Sequence, residues 1–344
     1  MKIREYLLHK YLAWRTRPAL LERHWRSKKV RWRRTDEKPD RKKIPVGAVQ
    51  LEVKLTDNAG EYMDEMCRIT NKAARQGVRL LAFPEYSTFP LLGYIPGIEK
   101  LAEDTATDNQ EVSVADLFRF AGPFFNRVAH FTFSKLASTF GLYIMTGSMP
   151  YPVEDRVVNR AFLYGPDGQM LGHQDKVHLM PMEHAWGFSA GDAFNVFDTP
   201  LGKLAMPVCM DATYFETFRI LERQGAEIVM VPIANAEEYN YWLALRGIWP
   251  RVQESMVYGI KSALVGQVLG YTLTGKAGIF APLELTPNQD GTLAEAKTFD
   301  SQELITATLD LEALHNLRAT HPYLGDQNPA LIAKYSPAPD SSMK

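Results

Sequence analysis

The stretch GKLAMPVCMDATYFETFRI, residues 202–220, decides how this chain folds. KLAMPV is a short apolar run with the character of a buried strand. Cys209 and Asp211 follow at once, and TYFETFRIL then takes up helical spacing. A structural thiol would sit more comfortably inside the run. A reactive one belongs where a strand ends and a turn begins, because strand ends are where layered α/β folds gather their chemistry.

The same alternation extends outward on both sides. Strand-like runs occur at 46–53, 78–83, 141–149, 159–165, 203–208, 226–234 and 256–268, with helical periodicity over 58–76, 124–139, 212–224 and 239–255. Apolar runs that alternate with helices predict an α/β protein with layered sheets. Strands that follow one another without a helix, as at 141–165, require antiparallel pairs as well. No internal repeat or Pro/Gly/Ser linker divides residues 44–315, so this stretch reads as one domain.

Composition narrows the class. The chain of 344 residues is 46% hydrophobic with a formal net charge of -1, enough apolar content for a large core. Its two cysteines, Cys67 and Cys209, give no disulfide framework and no metal-ligand spacing. Cys67 lies with Met63, Met66, Ile69 and Ala73 along one helical face and reads as packing. No run approaches a membrane span, and no secretory signal opens the chain, so a soluble, cytoplasmic protein is expected.

The small net charge conceals an asymmetry. Residues 1–43 hold 16 of the 39 Lys/Arg and 5 of the 40 Asp/Glu, a net +11, which leaves -12 on the rest. A basic, partly helical arm therefore ends near Lys43, where IPVGAVQLEV begins. Within it Ile3, Leu7, Tyr11 and Trp14 recur at helical spacing until Pro18, marking the face expected to be buried on the body or a neighbouring subunit. An acidic partner, an anionic membrane or nucleic acid are the other partners such an arm suits. Its interleaved Trp14, Trp25 and Trp32 are what single-strand binding would use. Residues 316–344 form a C-terminal tail, expected in subunit contacts.

Candidate chemistry gathers at three places: Glu85 just past the strand RLLAF, Lys176 and Glu183 in GHQDKVHLMPMEHAWG, and Cys209. Alone, each has an ordinary reading as a cap, a surface charge or a small core residue. Neither GxGxxG nor GxxxxGK[ST] is present to suggest a phosphate site. Together, LLAFPEYSTFPLLGY (80–94), GPDGQMLGHQDKVHLMPMEHAWGFSAGD (165–192) and DTPLGKLAMPVCMDATYFETFRILERQGAEIVMVPIA (198–234) carry Glu, Lys and Cys in order, 91 and 33 residues apart. In these blocks, from about Val46 to Leu331, the chain resembles the nitrilase, or carbon–nitrogen hydrolase, superfamily.

That resemblance implies a four-layer α-β-β-α sandwich, with two mixed sheets flanked by helices, that pairs through its helical faces into homodimers or larger homo-oligomers. It implies Cys209 as nucleophile, Glu85 as general base, Lys176 beside the developing oxyanion and Glu183 as an additional glutamate orienting the substrate amine or the lysine. Met210, through its backbone N–H, and Asp211 are the expected substrate-side residues. His178 and His184 are expected to be supporting or structural. No cofactor and no metal is implied. The expected activity is hydrolysis of a non-peptide carbon–nitrogen bond of a linear amide through a cysteine thioester, releasing ammonia or an amine. Met210 and Asp211 stand where true nitrilases carry tryptophan and glutamate, which favours the amidase-like branch over nitrile hydrolysis. Ala212 replaces the arginine of carbamoyl-amino-acid hydrolases, and Phe215 and RVQES (251–255) also depart from the family pattern. A nucleic-acid or membrane-binding protein on a retained hydrolase scaffold is the alternative from a different class.

Overall fold

Two helices precede the first strand. In the computed structural model, which describes residues 3–28, 30, 32, 40–98, 113–321, 328, 330, 331 and 334, these are α1 (Ile3–Arg15) and α2 (Pro18–Ser27). β1 (Ile44–Glu52), α3 (Ala59–Arg75), β2 (Leu80–Ala82), α4 (Val114–Phe140), β3 (Tyr143–Val153), β4 (Arg156–Tyr164) and β5 (Met170–Asp175) make the first half of the body. The second half holds α5 (Pro181–Ala185), β6 (Val196–Thr199), β7 (Gly202–Ala205), α6 (Phe215–Arg223), β8 (Ile228–Ile233), α7 (Tyr241–Arg246) and α8 (Trp249–Ser255). β9 (Tyr258–Val268), β10 (Tyr271–Leu273), β11 (Gly278–Phe280), β12 (Thr292–Glu295), β13 (Glu303–Leu309) and α9 (Leu311–Thr320) complete it.

The strands pair in the order β5-β4-β3-β2-β1-β9-β8-β7-β6. β1 carries the seam: Ile44–Gln50 pair with β13, whereas Gln50, Leu51 and Glu52 run parallel to Ala263, Leu264 and Val265 of β9. Hydrogen bonding thus joins the two mixed halves into one 13-stranded sheet. Side chains on β1 alternate as a pleat requires. Val49 and Leu51 pack with the helix residues Met63, Met66, Phe125 and Val128, while Ile44, Val46 and Ala48 join a second cluster with Leu204, Val229 and Leu309.

Local chemistry starts and stops the helices. Asn58 caps α3 by accepting from the Glu61 N–H at 3.1 Å, and Ser113 and Asp116 form a reciprocal cap on α4. α4 ends at Gly141, whose φ of 70° suits a left-handed cap. The sequence periodicity predicts this helix over 124–139. The helix instead runs through Pro123 from Val114, since Ala115, Phe118 and Ala121 continue its buried face and offset the missing hydrogen bond. The predicted helix 239–255 is split, with Pro250 in the first turn of α8.

The ends differ in part from expectation. On the body of its own chain, α1 does not bury the Leu7, Tyr11 and Trp14 stripe, which is open there. Leu12 is fully buried and Leu8 and Ala13 pack beside it, because the shorter aliphatic residues fit against α4 and the aromatic ones do not need to. Trp25 and Trp32, candidates for base stacking, pack on the core, Trp32 edge-on to Phe140 at 5.5 Å. Most of the basic run between Lys29 and Pro39 lies outside the described residues, as does most of the tail after His321. α9 crosses the predicted domain edge at 315, and Arg318 donates to the carbonyls of Met256 and Ala226 at 2.7 and 2.8 Å.

Candidate active site

Glu85 stands in the turn after β2, and β3 fixes that turn from behind. The Phe83 N–H donates to the Met145 carbonyl at 2.9 Å and the Ser87 N–H to the Ser148 carbonyl at 3.0 Å. Between those anchors the β3–β4 register shifts, and Gly147 adopts a φ of 72°. A side chain there would strike the Pro84 carbonyl, so glycine is what permits the close approach.

Lys176 follows β5 directly. Its N–H donates to the Asn159 carbonyl at 2.8 Å, continuing the β4–β5 ladder, and the Arg160–Asp175 fork locks the preceding residue at 2.6 and 2.8 Å. Cys209 opens a 3-10 turn, Cys209–Thr213, past β7, with a φ of 48° that is costly for a non-glycine residue. Asp211 holds that turn. Its carboxylate accepts from the N–H groups of Val208 (2.8 Å), Val177 (3.1 Å) and His178 (2.7 Å).

The structure brings Glu85, Lys176 and Glu183 together, each only 1% exposed. The Lys176 ammonium bridges the two acids, with Nζ 2.9 Å from Glu85 Oε1 and 2.7 Å from Glu183 Oε2. Asn159 Nδ2 bridges them again, donating to Glu85 Oε1 at 2.8 Å and to Glu183 Oε1 at 3.0 Å. The Ala234 N–H donates to Glu85 Oε2 at 2.9 Å, and the Tyr86 hydroxyl to Glu183 Oε1 at 2.6 Å. Cys209 Sγ lies 3.8 Å from Asn235 Oδ1.

The electrostatics follow from burial and this pairing. Burial raises Glu85 above the usual carboxylate range and Lys176 only partly offsets it. Both Glu85 oxygens nevertheless accept from N–H donors, the pattern that suits the ionised form. Burial also works against the charge on Lys176, but Glu85, Cys209 and Glu183 outweigh it and raise its pKa. Glu183 is lowered, since Lys176 and its other donors overcome the burial cost. Burial and the adjacent Glu85 push the Cys209 thiol well above its ordinary value, so the resting sulfur carries its proton. Burial takes Asp211 up to about 7 against the pull of its three N–H donors.

Asp211, expected on the substrate side, is fully buried and spends its carboxylate on backbone amides, tethering the Cys209 turn to the Lys176 loop. Met210 follows Cys209 in the 3-10 turn, half-buried. The His178 ring packs on Tyr214 at 4.4 Å, and His184 is exposed. Cys67 is half-buried on α3, away from these groups. Among the described residues no group of three or more His, Cys, Asp or Glu could hold a metal ion.

Sequence reading missed Asn159, Tyr86 and Asn235. Asn159 had a signal: it is a polar residue opening the apolar strand NRAFLYG, and a buried amide needs partners. Its nitrogen must face the two carboxylates, because its oxygen would be repelled by both. Its Oδ1 has no partner among the described residues.

The chain is similar to known hydrolases over most of its length. Over 306 residues the chain is 26% identical to the probable hydrolase YhcX of Bacillus subtilis, matching 84% of this chain and spanning 56% of that protein's length. It is 23% identical over 274 residues to omega-amidase NIT2 of Xenopus tropicalis, covering 76% of this chain and 87% of the relative. In fold it is similar to a mutant of the amidase from Nesterenkonia sp. AN1, with a TM-score of 0.62 and 20% identity over 88% of this chain and all of that one. That structure shows covalent addition of the acetamide moiety of fluoroacetamide at the active site cysteine. The family model for carbon-nitrogen hydrolases matches residues 45–319, a span that starts one residue into β1 and contains Glu85, Lys176, Glu183 and Cys209; this chain belongs to the carbon-nitrogen hydrolase family.

Proposed function

We propose that this protein hydrolyses linear amides through a covalent intermediate on Cys209. The observation that carries the reading is the buried Lys176 ammonium clamped between Glu85 and Glu183, beside a cysteine held on a strained turn. Cys209 Sγ attacks the amide carbon as Glu85 takes the thiol proton. A raised thiol pKa means that this transfer accompanies attack, with no standing thiolate required. The oxygen that becomes negative is met by Lys176 and by the Met210 N–H. Glu85 passes its proton to the leaving amine, which departs with the breaking C–N bond and leaves a thioester. Glu85 then deprotonates a water that attacks the thioester carbon, and the released sulfur recovers the proton as the acid product leaves.

Similarity to an omega-amidase and to an amidase, together with the Met210–Asp211 pair, favours an amide substrate. The proposed assembly is a homodimer or larger homo-oligomer that pairs through α6 and α7. Both helices pack on α8 and leave Tyr214, Phe215, Tyr241 and Trp242 exposed, Trp242 by 77%. A panel of linear amides, nitriles and ureido compounds assayed for ammonia release tests the substrate class. Amides should turn over, Cys209→Ala should abolish release, and Cys67→Ala should retain it. Release by Cys209→Ala well above the uncatalysed rate would refute the mechanism, and turnover of nitriles alone would move the protein to the other branch.

A further inference from the structure

α1 is fastened to the body along one face. Leu12 and Thr16 are fully buried, the His9 ring meets Phe124 edge-on at 5.1 Å, and the Arg15 guanidinium donates to the Asp57 carbonyl. α2 completes the attachment. Leu21 is 1% exposed, His24 Nε2 lies 2.6 Å from Asp64, and Lys135 pairs with Glu22 at 3.0 Å. Gly60 lets α2 approach α3 so closely that a Cβ there would lie 2.7 Å from the His24 ring. These ties stop α1 from rolling, so whatever its other face presents is presented permanently.

At 100° per residue the body-facing positions 8, 12 and 16 centre on one side, and 6, 7, 10, 11 and 14 on the other. That outer face is apolar and basic at once. Tyr6 is 47% exposed, Leu7 60%, Tyr11 37% and Trp14 53%. Each aromatic ring has a cation over it: Lys10 at 5.4 Å from the Tyr6 centroid, Arg15 at 5.6 Å from Tyr11 and Arg17 at 5.8 Å from Trp14. Between Glu5 and Lys28 the chain has six Lys/Arg against two Glu.

We infer that this outer face of α1 docks the enzyme on an anionic lipid surface, with the helix lying in the plane of the headgroups. Tyr and Trp rings prefer that depth, Leu7 reaches the acyl boundary, and Lys10 and Arg17 meet the lipid charge. A second copy of the chain is a poorer occupant, since a two-fold contact through this stripe would set its cations against one another. Single-stranded nucleic acid is also poorer: the most exposed side chain of the stripe is the aliphatic Leu7, which offers a base nothing to stack on.

The test is co-sedimentation of the full chain with phosphatidylcholine vesicles, with and without phosphatidylserine, over a range of salt. Binding should require phosphatidylserine and weaken as salt rises. Arg17→Gln should reduce it about fivefold, the effect of one cation at such a surface. Leu7→Glu combined with Trp14→Glu should reduce it by an order of magnitude or more. Retained ammonia release by each variant shows that the fold and the Cys209 site survive. Equal binding to vesicles without phosphatidylserine, or variants that bind like the parent, would overturn the inference. So would a single-stranded oligonucleotide that binds where vesicles do not, or an oligomer that dissociates in the variants while vesicle binding is absent throughout.

Discussion

A Cβ placed on Gly147 would lie 1.8 Å from the carbonyl oxygen of Pro84, the residue immediately before Glu85. No rotamer relieves that overlap, because backbone meets backbone. Gly147→Ala must therefore shift the turn that aims Glu85, as well as strain a φ of 72°. If Glu85 is the base proposed above, its displacement by roughly an ångström costs about 100-fold in rate. kcat/KM should fall by about that factor while circular dichroism stays unchanged. Near-parental turnover would show that the turn does not depend on this contact.

Asn159→Ala removes the N–H donor shared by Glu85 and Glu183. A hydrogen bond to the charged form lowers a carboxyl pKa, so its loss raises Glu85 further than burial already does. Protonated Glu85 cannot accept the thiol proton, and activity falls as pH drops through its pKa. The acid limb of the parental kcat/KM profile should therefore lie above the usual carboxylate range. In Asn159→Ala it should move up by about 1–2 pH units, the worth of a hydrogen bond to a charged group. A lower plateau with an unmoved limb would mean that the amide merely fills space.

Glu85→Gln and Lys176→Ala should each lower turnover by about two or more orders of magnitude. Lys176→Ala also leaves two buried carboxylates without their shared cation, so its melting temperature should fall while that of Glu85→Gln holds better. The double variant should lose much less than the product of the single losses, because the groups act as one unit. Multiplying losses in a double-mutant cycle would separate the two residues.

Leu12→Ala tests the attachment of the arm. Full burial of Leu12 against the body predicts a destabilisation of about 2–5 kcal/mol, seen as a lower urea midpoint, with turnover per folded molecule unchanged. Leu7→Ala, on the open face, should have almost no effect on stability. Equal effects at the two positions would reverse the assignment of faces.

The sequence by itself pointed to the layered α/β class and most of the strands and helices, and it offered Glu85, Lys176, Glu183 and Cys209 as candidates through the resemblance of the blocks that carry them. It could do so because apolar periodicity is a local property, and because strand ends announce themselves by the polar residue that follows. It also placed the edge of the basic arm, a matter of composition.

Only the tertiary structure decided the rest. Asn159 joins the site from β4, 74 residues beyond Glu85, and no local pattern reports where an amide's two hydrogens go. Asp211 lies two residues past Cys209 in sequence, yet its carboxylate is turned to the backbone of its own turn and of the Lys176 loop. On α1 the stripe at 7, 11 and 14 and the stripe at 8 and 12 are both apolar enough to be buried. Helical spacing cannot choose between two such faces; the shape of the surface that receives the helix does, and it accepts Leu12 while leaving Trp14 in the open.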